Sequence, residues 1–234
     1  WIYKKADAVI FTMEGGKQYI IDQGWEKDVP LDKIYYINNG VDLEVYHRQE
    51  QENVFHDPEL DREDTFKVMY TGSMGQANAM FDILDAAEEL KDRADIRFLL
   101  FGAGYLEDDL KKYARKKHLE NVSFKGKVDK KYIPNILSKG NLNLMTAPSD
   151  KVSDYGLSMN KMFDYMASGK PTVSNIRTKF DVLEETHSGV TVRAGDPDAM
   201  AGAVVRFYEM NKKDYEEFCQ NAREAVKRYD FKNL

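Results

Sequence analysis

Phe66-Lys67-Val68-Met69-Tyr70-Thr71-Gly72-Ser73-Met74-Gly75-Gln76-Ala77-Asn78-Ala79-Met80-Phe81-Asp82-Ile83-Leu84-Asp85-Ala86-Ala87 reads in three parts. A mostly apolar strand over 66–70 ends at Gly72. A turn of two glycines and small polar residues follows. Met80, Ile83, Leu84, Ala87 and Leu90 then keep helical spacing, so a helix begins near Met80. A short apolar strand followed by an amphipathic helix is the repeating unit of a parallel sheet covered by helices.

The unit recurs along the chain. The pattern predicts strands over 96–101, 122–124, 142–145, 171–174 and 190–192. It predicts helices over 106–118, 131–137, 159–167, 181–186, 198–210 and 213–229. Strand and helix thus alternate through six strands. The fold class is α/β, a doubly wound Rossmann-like parallel sheet over about 66–210. Toward the N-terminus, residues 43–64 turn polar and acidic, with Gln49-Glu50-Gln51-Glu52-Asn53, and read as a linker. Residues 1–64 are therefore expected to be the end of a preceding domain plus a linker, and 65–234 the sheet domain. A short opening helix from Trp1 and the apolar run Ala8-Val9-Ile10-Phe11 read as the middle of a larger structure. The natural protein is expected to extend N-terminally.

Composition narrows the function. Lys and Arg number 34 and Asp and Glu 40, a net charge of −6, which disfavours a general nucleic-acid binder. Hydrophobic residues at 42% suffice for a core, yet no stretch nears the roughly 18 apolar residues of a membrane helix. Cys219 is the one cysteine, so neither an intrachain disulfide nor a zinc cluster forms, and a cytoplasmic location is expected. His47, His56, His118 and His187 lack metal-ligand spacing, and no metal or other cofactor is expected.

In such a sheet ligands bind in loops at the carboxyl ends of the strands. Gly72, Ser73 and Asn78 belong to the first of these, where glycine either admits a ligand or simply makes the turn. Gly102 and Gly104 begin a G-x-G, but Glu107 stands where a dinucleotide fingerprint needs glycine. The segment 154–171 is the most informative. Ser158 is placed to cap a helix and Gly169 to end it. Lys161, Asp164 and Ser168 share one stripe. Amides over Gly156, Leu157, Ser158 and Met159 plus Lys161 suit a diphosphate, and Asp164 one turn on suits a ribose diol. Spacing alone favours a plain surface ion pair between Lys161 and Asp164, worth a few tenths of a kcal/mol. Lys111, Lys112, Arg115, Lys116 and Lys117 make a basic helix stripe. It reads as a solvated face balanced by Glu107, Asp108 and Asp109, with peripheral contact to an anionic membrane as the alternative.

Five segments together resemble the retaining glycosyltransferases of family 4. Tyr36-Ile37-Asn38-Asn39-Gly40-Val41-Asp42 is similar to a "PNGVD" turn, with Asn38 at the proline place. Residues 70–87 resemble the first strand, loop and helix of that family's donor domain. Leu100-Phe101-Gly102-Ala103-Gly104 resembles its "GxGP" segment, Asn121–Val128 its "NVxFxGxV" strand, and Phe163–Val173 its "xEAMAxGxPVV" block. The resemblance implies one half of a GT-B fold, holding a nucleotide-sugar donor, with transfer to a glycan or lipid-linked acceptor, retention and no metal. Asn160, Lys161 and Asp164 fall in a variant similar to a subgroup that builds bacterial surface polysaccharides. Two family glutamates eight residues apart correspond to Gly156, which has no side chain, and Asp164. Ser73 and neutral residues replace the usual Arg and Lys, leaving Lys161 to meet the pyrophosphate. By the same resemblance Gly126, Lys127 and Val128 hold the base through backbone groups. The catalytic residues stay unassigned, because the acceptor half falls in the missing N-terminal domain. The alternatives are a non-catalytic nucleotide or sugar-phosphate binding domain and a UDP-sugar 2-epimerase-like protein. The site is expected on the cytoplasmic side, at the inner membrane face when the acceptor is lipid-linked.

Overall fold

The computed structural model describes residues 2–234; Trp1, where the expected opening helix begins, lies outside them. Helix α1 (Ile2–Lys5), strand β1 (Val9–Phe11), helix α2 (Gly16–Asp22) and strand β2 (Ile34–Tyr36) come first. β1 and β2 pair in parallel, and Val9, Ile20, Val29 and Ile34 form a small core of their own.

The acidic stretch that composition reads as a linker instead holds helix α3 (Leu43–Glu52). Asp42 caps it, accepting the Val45 N–H at 2.9 Å. Tyr46 is its one buried residue, so no apolar stripe marks the helix in the sequence. Val41, Tyr46 and Leu60 enter one of the two cores of the main sheet.

The main sheet is built from β3 (Phe66–Thr71), α4 (Met80–Glu89), β4 (Ile96–Phe101), α5 (Glu107–Lys117), β5 (Val122–Gly126), α6 (Ile133–Ser138), β6 (Leu142–Met145), α7 (Asn160–Ala167), β7 (Thr172–Ser174), α8 (Val182–Glu185) and β8 (Gly189–Thr191). α9 (Pro197–Tyr208) and α10 (Lys212–Ala225) close the chain. All six strands run parallel, in the order β5-β4-β3-β6-β7-β8. This is the sheet that the alternation predicts. The chain winds from β3 out to β5, then returns to lay β6 on the other side of β3. The order therefore reverses between β3 and β6, where a crevice opens at the strand ends.

Alternate residues of a strand face opposite layers. Val68 and Tyr70 pack with Ile83, Leu84, Val204 and Phe207 from α4 and α9. Met69 packs on the other face with Ile136, Met162, Phe163 and Met166 from α6 and α7. Burying each such large side chain stabilises by about 1.5–3 kcal/mol, so both layers hold the sheet. Some element ends shift from expectation. Pro134 occupies the first turn of α6, and Lys130–Tyr132 before it forms a 3-10 turn. The last expected turn of α10 is a separate 3-10 turn, Val226–Tyr229.

Candidate functional site

The two glycine loops at the ends of β3 and β4 continue the sheet ladder past its last strand residue. Gly72 N–H donates to Phe101 O at 2.9 Å, Met74 N–H to Ala103 O at 2.9 Å, and Gly102 N–H to Gly126 O at 2.8 Å. A Cβ on Gly102 would lie 1.7 Å from Gly72 O, and one on Gly104 would lie 2.3 Å from Met74 O. These two glycines thus serve loop-to-loop contact. Gly126, with φ of +73°, turns the chain sharply after β5. Above these loops lies a cleft of about 600 Å3 lined by Gly72, Ser73, Gly102, Ala103 and Gly104 on one side and Lys127 to Lys130 with Ile133 on the other. The sequence-predicted residues from β3, β4 and β5 do converge, although Gly126 itself lies just behind the lining.

Lys161 of α7 lies beside Gly72 of this lining without itself lining the cleft. Its Nζ donates to Asn78 Oδ1 at 2.6 Å and to the Tyr70 hydroxyl at 3.1 Å. It also lies 4.4 Å from the Tyr70 ring centroid, a cation–π contact. A Cβ on Gly72 would sit 3.1 Å from Nζ, so the ammonium lies against the first glycine of the loop. Burial pushes the lysine down to about 8. Burial also raises the Tyr70 phenol well above its usual value, so it keeps its proton and donates it to Ser73 O at 2.6 Å.

Asp164 does not pair with Lys161, which removes the surface ion-pair reading of their spacing. It lines a neighbouring cavity of about 370 Å3 with Asn160, Tyr46, Asp42 and Lys131. Lys130 and Ile133 line both cavities, so the two adjoin at these residues. Burial raises the Asp164 carboxyl to about 6, with the Lys130 charge opposing. An ammonium bonded to Asn78 and Tyr70 and a carboxylate that forms no ion pair among the described residues thus both stand on α7, next to two adjoining cavities. Such a site suits an anion at Lys161 and a pair of hydroxyl donors at Asp164.

Gly156, Leu157 and Ser158 are held differently from expectation. Ser158 does not cap α7: Met159 precedes the helix and no side chain caps it. The Ser158 hydroxyl instead donates to Asn38 Oδ1 at 2.7 Å. Asn38 Nδ2 donates to the Tyr36 hydroxyl at 2.9 Å and to Leu157 O at 3.4 Å. Tyr36 in turn donates to Glu14 Oε1 at 2.7 Å. Gly156 has φ of +120°, and a Cβ there would meet Glu14 Oε2 at 2.3 Å. That carboxylate oxygen is buried and has no hydrogen-bond partner. A carboxylate from the N-terminal part therefore fills the space a side chain at 156 would take. Sequence reasoning missed this network of Glu14, Tyr36 and Asn38. The Asn38-Asn39-Gly40 turn was its one visible sign.

Most of the basic stripe on α5 is neutralised. Lys111 pairs with Glu107 at 2.6 Å, Lys112 with Asp109 at 3.2 Å and Lys117 with Glu88 at 2.8 Å. Among the described residues, no helix is long and apolar enough to cross a membrane. Among the same residues, no three His, Cys, Asp or Glu side chains are grouped to hold a metal ion.

Comparison with known proteins follows the same lines. The model of the family described as Glycosyl transferases group 1 matches residues 65–210, more than half the chain. No curated protein matches the sequence. Solved structures match the fold closely. HepE of Anabaena in complex with UDP superposes with a TM-score of 0.79 at 18% identity, over 97% of this chain and 61% of that one. A mutant of S. aureus TarM, solved with fondaparinux, alpha-GlcNAc-glycerol and UDP, gives 0.74 at 21% identity, over 97% and 42%. Sucrose-phosphate synthase of Thermosynechococcus elongatus gives 0.73 at 18% identity, over 97% and 55%. The chain thus spans about three-fifths of the length of HepE and less of the others.

Proposed function

Because the chain belongs to the group 1 glycosyl transferases, we propose that it is the donor-binding portion of a retaining, family 4 enzyme that moves a hexosyl or N-acetylhexosaminyl group. The donor is a nucleoside-diphosphate sugar, and the acceptor is a glycan or a lipid-linked glycan of a bacterial surface polysaccharide. Residues 1–64 then close an N-terminal acceptor domain, and 65–234 hold the donor. A cytoplasmic location, with lipid-linked acceptors met at the inner membrane face, belongs to the same proposal, as does the absence of a metal cofactor.

The observation that carries this reading is the pair on α7. Lys161 Nζ lies against Gly72, which with Ser73 and Gly104 lines the cleft. There it meets the diphosphate. It stabilises charge that grows on the leaving diphosphate as the glycosidic bond breaks, in a site where burial strengthens the interaction. Asp164 accepts the ribose hydroxyls, and the turn at Gly126, Lys127 and Val128 faces the base. Asn78, now bonded to Lys161, hands the ammonium to the diphosphate when the donor enters. UDP is the first nucleotide to test, since it is bound in the neighbouring HepE and TarM structures.

A thermal-shift panel of UDP, GDP, ADP and TDP tests the reading. One of them at 100 times its dissociation constant adds about 2.7 kcal/mol of stability, and the others add less. No stabilisation by any of the four contradicts donor binding. With the sugar donor, the 234 residues alone are expected to transfer nothing, because orienting donor against acceptor needs both walls of the cleft. Release of free nucleoside diphosphate only when acceptor and the full-length protein are present identifies a transferase. Release of none identifies a sensor, and interconversion of the donor sugar an epimerase.

A further inference from the structure

We propose that a second basin, over the ends of β6, β7 and β8, is a subsite for an oxyanion carried by the acceptor. It rests on the glycosyltransferase reading above. The basin has a volume of about 800 Å3 and shares no lining residue with the cleft over β3, β4 and β5. Both open at the carboxyl edge of one sheet, on either side of the switch point. Neighbouring strands lie about 4.8 Å apart, so β4 and β7, three steps apart, place the two basins roughly 14 Å from each other. That separation lets a donor fill one while an acceptor group fills the other.

The charge of the basin points to its ligand. Ser174 of β7 pairs with Thr191 of β8, so the segments that follow lie side by side and bring Arg177 and Arg193 to the same rim. Lys151 approaches from the segment after β6. All three are exposed, and among the described residues none of them forms an ion pair or a side-chain hydrogen bond. Arg62, Arg93, Arg97, Arg223 and Arg228, by contrast, are each tied to a carboxylate. Asp150 and Asp154 also line the basin. Asp150 accepts the Ser153 N–H at 2.9 Å, closing its own turn. Three cations against two carboxylates leave a positive basin on a chain of net charge −6. Thr191 Oγ1, in the same lining, is buried and has no hydrogen-bond partner. Guanidinium forks match the planar oxygens of phosphate and carboxylate in bidentate fashion. A neutral sugar offers hydroxyl acceptors but no charged, planar pair of oxygens for the fork, so the acceptor group that this basin takes is a phosphate or a uronic-acid carboxylate.

The test is an amide-NMR titration of the 234-residue chain with glycerol phosphate and, separately, glucuronate, each with and without saturating UDP. The expected result is shifts confined to residues 149–153, 176–178 and 192–195 that persist when UDP is bound. Arg177→Gln and Arg193→Gln should weaken this binding about tenfold each while leaving UDP shifts unchanged. The arm that binds more tightly tells phosphate from carboxylate. Shifts confined to the loops at 72–78 and 126–130 that vanish with UDP would overturn the proposal, since the anion then takes only the donor phosphate place. Absence of shifts with both anions would also overturn it. The shifts that UDP itself causes at 72–78 report on the donor site separately, so the two readings fail independently.

Discussion

Lys161 and Asp164 are charged groups that burial moves toward neutral pH from opposite sides, to about 8 and about 6. A bound diphosphate favours the ammonium and raises the lysine, so nucleotide affinity is full below about 8 and falls as pH rises through it. Ribose hydroxyls donated to the carboxylate favour its ionised form. Affinity is therefore full above about 6 and falls as pH drops through it. Calorimetry against pH with UDP should show both limbs, and with uridine only the acid one. Asp164→Asn should remove the acid limb of uridine and weaken binding by about 1.5–3 kcal/mol, the range for hydrogen bonds to a charged group. A pH-independent uridine affinity would take the ribose away from Asp164. The sequence shows these two residues on one stripe, and that much is legible from a three-residue spacing. It does not show that they part company. Lys161 turns to Asn78 and Tyr70, far away in the chain, and no local pattern encodes such partners.

At the scale of elements, the start of α7 shows where local signals mislead. Ser158 stands where a cap is expected, yet its hydroxyl is bound to Asn38, in the turn after β2. The difference is measurable by a double-mutant cycle of Asn38→Ala and Ser158→Ala, read by chemical denaturation. The account expects a coupling of about 0.5–1.5 kcal/mol, the worth of one hydrogen bond. A Ser158→Ala cost that is the same with and without Asn38 would mean that the serine acts on its own helix. The six strands of the main sheet were legible because buried parallel strands are nearly continuous apolar runs, as Ile96–Phe101 before Gly102 shows, whereas β2 (Ile34–Tyr36), with two exposed tyrosines, was not. α3 was not, because its Gln- and Glu-rich face leaves only Tyr46 to bury. The Asp42 cap was the signal that could have found it.

Over the whole molecule, function follows from topology. Parallel winding reverses the strand order between β3 and β6 and opens a crevice at the strand ends, and Lys161 and Asp164 of α7 stand beside its cavities without pairing with each other. Glycines at 102 and 104 keep the loop walls close, and the N-terminal part is tied to the segment before α7 through Asn38 and Ser158. The glycine loops at the strand ends were legible from strand–helix alternation, whereas the strand order that places the crevice was not. The basin over β6, β7 and β8 was not, because Lys151, Arg177 and Arg193 come from three separated segments that only the sheet order brings together. The central claim is that this crevice holds a nucleoside diphosphate by Lys161. It is tested most directly by calorimetric titration of UDP and of uridine into the wild-type chain and into Lys161→Ala. The substitution is expected to weaken UDP binding by about 1.5–3 kcal/mol, tenfold or more in dissociation constant, and to leave uridine within about twofold. Unchanged UDP affinity, or an equal loss for UDP and uridine, would contradict it.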